Sequence, residues 1–448
     1  MPFAWRDPFA VFAPAALRSG AAMLIGGEYA FLGLSPTQLI SSGFADLQAV
    51  LTKRQSAASI PFGPFGCGGM GYLGYELGGQ VESLPEPCAN GPTLPDMLVG
   101  FFDAVAVFHL PTKTAAVLAV GDPAMEDQKW SHLAHQRAQA CMDEIHAAPD
   151  TLPTESWGAT QWTADWTQED YESRIRRTLE YIRAGDIFQA NIAQRLTAPR
   201  PFGMSAFGLF RKLCRNNPAP FAAYFAVDAE RAVVSSSPER FLRIDVVDGV
   251  RHVETRPIKG TRPRSTDPVK DRTLAEELCH SIKDRAENLM IVDLLRNDLS
   301  RTAKVGSVQV PELWQIESYA TVHHLVSAVT SEPQDSIASL EVLRQAFPGG
   351  SITGAPKIRA MEIIHELEAM RRGAYCGGFG WFGDNGAMDT AIGIRTMLVD
   401  GDTLSVSAGG GIVSDSVPAD EYRETLVKAA AMLRTVEPNP AILQSVGL

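Results

Sequence analysis

A chain of 448 residues can form one large domain or two to three average ones, and its 45% hydrophobic, 21% charged composition excludes disordered and fibrous classes. Its 40 Lys and Arg against 52 Asp and Glu give a formal net charge of -12, which repels polyanions and argues against nucleic acid, but leaves room for a small anion held by a few local cations. The six cysteines (Cys67, Cys88, Cys141, Cys214, Cys279 and Cys376) form no C-x-x-C pair, and a chain this long needs no disulfide staples, so reduced, cytoplasmic thiols are expected.

Along the chain, the apolar stretch 8–17 is interrupted by prolines, and Asp7 offsets Arg6, so it lacks the charged start of an export signal. No uninterrupted apolar run approaches the roughly 18 residues of a membrane span, and no membrane association is expected. Runs 21–25, 97–102 and 115–120, bounded by Gly and Pro, read as strands. Residues 124–147 have a helical period and end in a Pro-containing stretch, 148–154, that reads as a linker. His132, His135 and His146 lie on that helix, but no carboxylate or cysteine pattern completes a metal site, and they read as solvated surface. The linker separates an N-terminal region, 1–150, from a region 163–435 in which chemistry-bearing residues concentrate. There, 170–184 predicts an amphipathic helix ending at Gly185, and 221–227, 232–236 and 241–247 predict strands. Further helices are predicted at 273–295, 337–346, 356–370 and 419–433, with strands at 377–382, 390–399 and 403–408. Strands and helices come in runs rather than in alternating βα units, which favours an α+β fold of layered sheets.

Four groups of residues have chemical potential. Lys259 stands in Pro257-Ile258-Lys259-Gly260-Thr261, either as a solvated turn lysine or as a nucleophile, a role that requires desolvation or nearby positive charge to keep the amine neutral. Glu287 shares the i, i+3, i+4, i+7 face of Met290, Ile291 and Leu294, a face expected to be buried, so the carboxylate needs an arginine or a metal as partner. Glu421, Glu424 and Lys428 share one helical face, either as a solvated charge cluster or as oxygen ligands for a hard cation with a lysine beside its anion. Gly409, Gly410 and Gly411 allow either a flexible turn or a close approach of backbone N–H groups to an anion. The run 349–357 superficially has P-loop glycines, but its lysine does not follow the second glycine and no Ser or Thr follows the lysine, so nucleotide binding is not expected.

Taken together, these segments resemble the chorismate-utilising enzymes, and among them the aminodeoxychorismate synthases. The resemblance runs from about Gly69 to Lys428. It rests on Gly71-Tyr72-Leu73-Gly74-Tyr75-Glu76, Ala184-Gly185-Asp186-Ile187-Phe188-Gln189, Ser237-Pro238-Glu239-Arg240-Phe241, the Lys259 segment, 284–298, His323-His324-Leu325-Val326-Ser327, 349–362, Met388-Asp389-Thr390 and 408–425. It implies one large α+β domain of layered, mainly antiparallel sheets wrapped by helices, merging the two regions. It also implies Mg²⁺ held by Glu287 and Glu424, with Glu421 acting through water. Chorismate would be gripped by Thr261, Ser351, Tyr375, Arg395, Gly409, Gly410, Gly411 and Lys428. Lys259 would be a covalent nucleophile, Glu239 the general acid for the leaving hydroxyl, and His324 the active-site histidine. No glutaminase motif is found, so ammonia is expected from a separate class I glutamine amidotransferase. The alternatives are an anthranilate synthase component, against which Lys259 argues, and a non-catalytic chorismate- or tryptophan-binding regulator, against which the intact carboxylates argue.

Overall fold

Strands Gly68–Leu73, Met97–Phe102 and Gly378–Gly383 are buried along their whole length. A sheet buried on both faces needs a layer on each side. In the computed structural model, which describes residues 1–56, 60–122, 124–319, 322–439, 443 and 447, those layers are a second sheet on one face and helices on the other. The described residues form one twelve-stranded and one ten-stranded sheet, with antiparallel pairing throughout. Between the sheets lie Phe31 and Phe225 from one and Tyr72, Phe379 and Trp381 from the other. Outside the larger sheet pack Ile145, Leu213 and Leu433 of three helices, and outside the smaller one Leu47, Ile291, Leu295 and Leu343. No helix among the described residues is long and apolar enough to cross a membrane.

Strands from before residue 120 pair directly with strands from the second half in both sheets: Ala22–Gly26 with Phe221–Ala226, and Gly68–Leu73 with Gly378–Gly383. The stretch read as a linker therefore joins two parts of one structure. It is tied down by Arg6, whose Nη2 donates to Ala148 O at 2.6 Å and to Asp150 Oδ1 at 2.8 Å.

Four predicted elements differ instructively. The helix expected at 273–295 is two helices, Pro268–His280 and Ile282–Ser300, divided at Ser281, whose extended backbone (φ -63, ψ 110) and hydroxyl accepting from Asp284 N cap the second. Serine is a favoured N-cap because its oxygen satisfies a helix N–H that has no partner in the first turn. The strand expected at 390–399 is two strands in different sheets, Met388–Ile392 in the smaller and Thr396–Asp400 in the larger. The strand expected at 403–408 runs on to Ile412, through the glycines. Helix Lys357–Glu368 begins one residue after Pro356, which caps it instead of forming its first turn.

Candidate active site

The chain crosses from the larger sheet to the smaller between strands Arg231–Ser237 and Arg240–Val247, and back again between Met388–Ile392 and Thr396–Asp400. The crossings are bonded to each other, with Ser236 N donating to Arg395 O at 3.1 Å and Ile392 N to Glu239 O at 3.0 Å. Each puts a charged residue where the ladders part. Glu239 is 8% exposed; burial pushes its carboxyl above the usual range, opposed by the charge of Lys259 and by hydrogen bonds from the Ser351 hydroxyl and the Ile258 N–H. Arg395, at φ 52, donates to Lys428 O and has no carboxylate within ion-pair distance among the described residues. Burial lowers its pKa, against the pull of Tyr375 and Glu424. A guanidinium with several donors and no carboxylate is equipped to receive one.

Lys259 is aimed by a β-bulge. Ile258 pairs with Val326 but Thr261 with His324, so three steps on strand Ile258–Pro263 face two on Val322–Ser331. The extra residue falls at Lys259-Gly260, with Gly260 at φ 83, where a Cβ would come within 2.8 Å of Asp284 and Leu278. Bulges disrupt pairing and redirect side chains, often beside active sites. Lys259 is half-buried, and its side-chain amine makes no hydrogen bond or ion pair within 4.0 Å among the described residues. Desolvation lowers its pKa; Glu239 opposes that and Lys428 adds to it. The Lys259 amine and the Glu239 carboxyl are thus both pushed toward their neutral forms. Beside the bulge, Thr261 is exposed and its hydroxyl lies 2.9 Å from His324 Nδ1. Burial lowers the His324 pKa, opposed by Glu317.

The glycines are not a loop nest, as their spacing had allowed, but the end of strand Thr403–Ile412, paired with Gln189–Pro199 on one side. On the other side, the neighbouring strand pairs only as far as Met397 with Val406. Asn191 N donates to Thr353 O and Ala193 N to Glu368 Oε1, away from the glycine strand, so their partners Gly411 and Gly409 direct N–H and C=O toward the open side. Lys428 Nζ uses one of these groups, donating to Gly409 O at 2.7 Å. The bare Cα of Gly410 floors the carboxylates: a Cβ there would stand 3.0 Å from Glu421 Oε2, 3.5 Å from Glu424 Oε1 and 3.6 Å from Lys428 Nζ.

Helices Ile282–Ser300 and Pro418–Val436 bring in the remaining charges. Lys428 pairs with Glu424 at 2.6 Å, so in this form it faces the carboxylate rather than open space. Burial pushes Glu424 up, but Lys428 outweighs it and the net shift is downward. Glu421 accepts from the Ser416 hydroxyl at 2.7 Å, and burial raises its pKa with Glu424 adding to the rise. Glu287 is not on the fully buried stripe, which is Asn288, Ile291, Val292, Leu295, Asp298 and Leu299; Met290 and Leu294 are only half-buried. It stands at the stripe's edge, 3.9 Å from Lys283, with its pKa raised by burial and lowered by Lys259 and Lys283. Asn288, one residue round the helix, lies behind Lys259: its amide reaches Pro257 O at 3.5 Å and accepts from the Ser327 hydroxyl at 2.6 Å.

Sequence reasoning assigned no role to Asn288 or to Gln189. Gln189 is 0% exposed, neither of its amide atoms has a partner among the described residues, and its Nε2 lies 2.8 Å from where a Gly411 Cβ would be. A buried amide left unpaired is costly, so a ligand group is its natural complement. Sequence offered no signal for Gln189, because the same strand also carries Asn191 and Gln194 and nothing in its pattern singles out one amide. The P-loop-like lysine, Lys357, instead pairs with buried Asp298 at 2.7 Å. His132, His135 and His146 are exposed on helix Asp127–Ala147. A second cavity of about 590 Å³ lies between the sheets, walled by Phe31, Phe221, Phe379 and Trp381; Ile258, Val326 and Glu317 reach it, but Lys259, Glu239, Arg395, Glu287, Glu421 and Glu424 do not.

Residues 17–434 match the family of chorismate binding enzymes. Similar proteins include aminodeoxychorismate synthase component 1 of Klebsiella aerogenes, 44% identical over 377 residues, which are 84% of this chain and 79% of that one. Anthranilate synthase component 1 of Thermus thermophilus is 41% identical over 374 residues, 84% of this chain and 78% of that one. Among solved structures, anthranilate synthase component I from Streptococcus pneumoniae superposes with a TM-score of 0.80 at 28% identity, covering 91% of this chain and 92% of that one. The menaquinone-specific isochorismate synthase from Escherichia coli shares the fold, with a TM-score of 0.78 at 17% identity over 98% and 94% of the two chains.

Proposed function

The chain belongs to the chorismate binding enzymes, and on that footing we propose that it converts chorismate and ammonia to 4-amino-4-deoxychorismate. The observation that carries this reading is the Lys259–Glu239 pair: an amine without an ion-pair partner and a buried carboxyl, each pushed toward its neutral form by desolvation. A neutral amine is a nucleophile and a protonated carboxyl is a general acid. Lys259 Nζ attacks ring C2 while Glu239 protonates the departing C4 hydroxyl, which leaves as water as the two ring double bonds shift. Ammonia then forms the C4–N bond, the double bonds return, the C2–Nζ bond breaks, and the proton shed by ammonia returns to the lysine–glutamate pair. The enolpyruvyl ether is untouched, which separates this outcome from anthranilate formation. Arg395 and the outward N–H groups of Gly409 and Gly411 would hold substrate carboxylates, with Lys428, Ser351, Tyr375 and Thr261 completing the grip and His324 standing beside Thr261.

By donor chemistry Mg²⁺ would suit Glu287, Glu421 and Glu424, although no group of three carboxylates is gathered closely enough to hold an ion among the described residues in this form, where Lys428 occupies Glu424. Glu421 and Glu424 lie side by side above Gly410, Glu287 interacts electrostatically with Glu424, and carboxylate oxygen is the ligand this ion prefers. When bound, the ion supplies a template and a Lewis acid for the ring carboxylate. Ammonia would come from a second chain, a class I glutamine amidotransferase, in keeping with the "component 1" in the relatives' names, and the complex would work in the cytoplasm.

Purified chain given chorismate, Mg²⁺ and ammonium should yield aminodeoxychorismate by mass spectrometry, without pyruvate. Anthranilate with released pyruvate would replace this reading by the anthranilate synthase one, and chorismate bound but unconsumed would point to a regulator.

A further inference from the structure

Behind the pocket lies an ion pair that the proposed chemistry does not use. The Arg372 and Glu368 side chains are each 1% exposed and bonded twice, Nη2 to Oε1 at 2.6 Å and Nε to Oε2 at 2.8 Å. Such a pair gives little net stability, because desolvating two ions offsets most of their attraction, and apolar replacements of similar volume are often tolerated. Its distinctive feature is where its remaining hydrogen bonds go. Arg372 Nη2 donates to Asn191 O at 2.7 Å and Nη1 to Ile352 O at 3.2 Å, while Glu368 Oε1 accepts from Ala193 N at 2.8 Å. Asn191 and Ala193 are the cross-strand partners of Gly411 and Gly409, and Ile352 follows Ser351, which interacts with Glu239. Tyr375, three residues on from Arg372, lies with its ring 5.8 Å from the guanidinium carbon, and Tyr75 packs on the same group at 4.6 Å. Glu76 fixes the turn between them by accepting from Arg372 N at 2.7 Å and Gly373 N at 3.0 Å.

We propose that the Arg372–Glu368 pair is a positioning device for chorismate, holding the glycine strand, the Ser351 turn and the Tyr375 turn in register from behind without touching the substrate. A planar fork bonded to two backbone carbonyls and a carboxylate fixes distances between segments far apart in sequence, which a hydrophobic pair cannot do. Misplacement of substrate-holding groups by about 1 Å can cost on the order of 100-fold in rate.

The test is the paired variant Glu368→Met/Arg372→Met alongside Arg372→Lys, which keeps the charge but loses the fork. Rates are followed as loss of chorismate with Mg²⁺ and ammonium, so the test rests on chorismate use and holds whichever product forms. If the unaltered chain consumes no chorismate, the functional reading falls and this inference with it. The expected result for the paired variant is a thermal midpoint within about 4 °C of the parent. Its kcat/KM for chorismate should fall about 100-fold, chiefly through KM, with the KM for ammonium unchanged and Arg372→Lys intermediate. Parent-like chorismate KM in either variant, or equal loss of both KM values in step with the melting temperature, would overturn the proposal. If the paired variant does not fold, Arg372→Lys decides alone by the same two readings.

Discussion

Gly410→Ala separates binding from stability with a single methyl group. Gly410 lies inside a strand and its φ is outside the left-handed region, so alanine meets no backbone objection. Reduced freedom of the unfolded chain should even stabilise the fold by about 0.4–1 kcal/mol. The new Cβ, however, would stand 3.0 Å from Glu421 Oε2, a contact so tight that the carboxylate must give by a few tenths of an ångström. Metal sites tolerate ligand displacements of only about 0.2 Å, and disturbing the groups around a ligand typically costs about 10–100-fold in metal affinity. Initial rates of chorismate consumption against Mg²⁺ concentration should therefore shift to at least about tenfold higher Mg²⁺, or roughly 1.4 kcal/mol, with a melting temperature equal to or above that of the parent. Gly409→Ala is the contrast: its Cβ would lie 2.5 Å from Ile192 O and 2.7 Å from Ala193 Cα, so backbone must move and the fold itself should weaken. Parent-like Mg²⁺ and chorismate dependence in Gly410→Ala would refute the placement of ion and substrate above this strand.

Lys259→Ala should abolish or reroute aminodeoxychorismate formation, as seen by mass spectrometry of products, while Mg²⁺ binding by calorimetry persists; unchanged synthesis would reduce the lysine to a binding residue. The Glu239 carboxylate raises the Lys259 pKa, so Glu239→Gln removes a charge that stabilises the ammonium form and must lower that pKa further. The pH midpoint for labelling Lys259 with trinitrobenzenesulfonate should thus move down, and an upward or absent shift would show that the two groups do not interact. Arg395→Met loses charge-assisted hydrogen bonds worth about 1.5–3 kcal/mol, so the KM for chorismate should rise about 10–100-fold, and a parent-like KM would remove Arg395 from the substrate's anionic groups.

How much of this was legible in the sequence depended on whether a residue acts through periodicity or through a break in it. The helix carrying Glu421, Glu424 and Lys428 was readable because i, i+3, i+7 spacing maps directly onto one face, and the structure places all three together. Glu287 was placed on the right helix but on the wrong part of its face, since Met290 and Leu294 are apolar yet only half-buried where the helix borders the site. The sheet crossing at Arg395 was invisible: 390–399 is apolar enough to read as one strand, and only tertiary pairing shows its two halves in different sheets. The glycine run was read as a flexible turn or as an approach of backbone N–H groups to an anion; its place within a regular strand, where Gly410 serves by lacking a side chain, was hidden because glycine signals freedom of backbone. Gln189 had no periodic signature at all, and its role emerges only from the absence of partners for a buried amide.

The site is assembled from places where the ladders are interrupted. Glu239 and Arg395 mark the two crossings, Lys259 a bulge, and the glycines a strand end without a second neighbour. Each interruption frees backbone or side chains that a continuous sheet would have paired with itself, which is why all four converge on one space. The charges there bear on the proposed cation. Lys259, Lys283, Arg395 and Lys428 supply four positive groups and Glu239, Glu287, Glu421 and Glu424 four negative ones, so the fully ionised set is neutral. A dicarboxylate substrate would meet little net attraction there, in a chain at -12. The proposed divalent ion would make the local sign positive, and protonation of Glu239, which burial favours, would move it further in the same direction. On the proposed reading, chorismate binding and a proton on the general acid would be drawn from one electrostatic arrangement: the condition that readies Glu239 to protonate the leaving hydroxyl would also be the one that admits the substrate's charge.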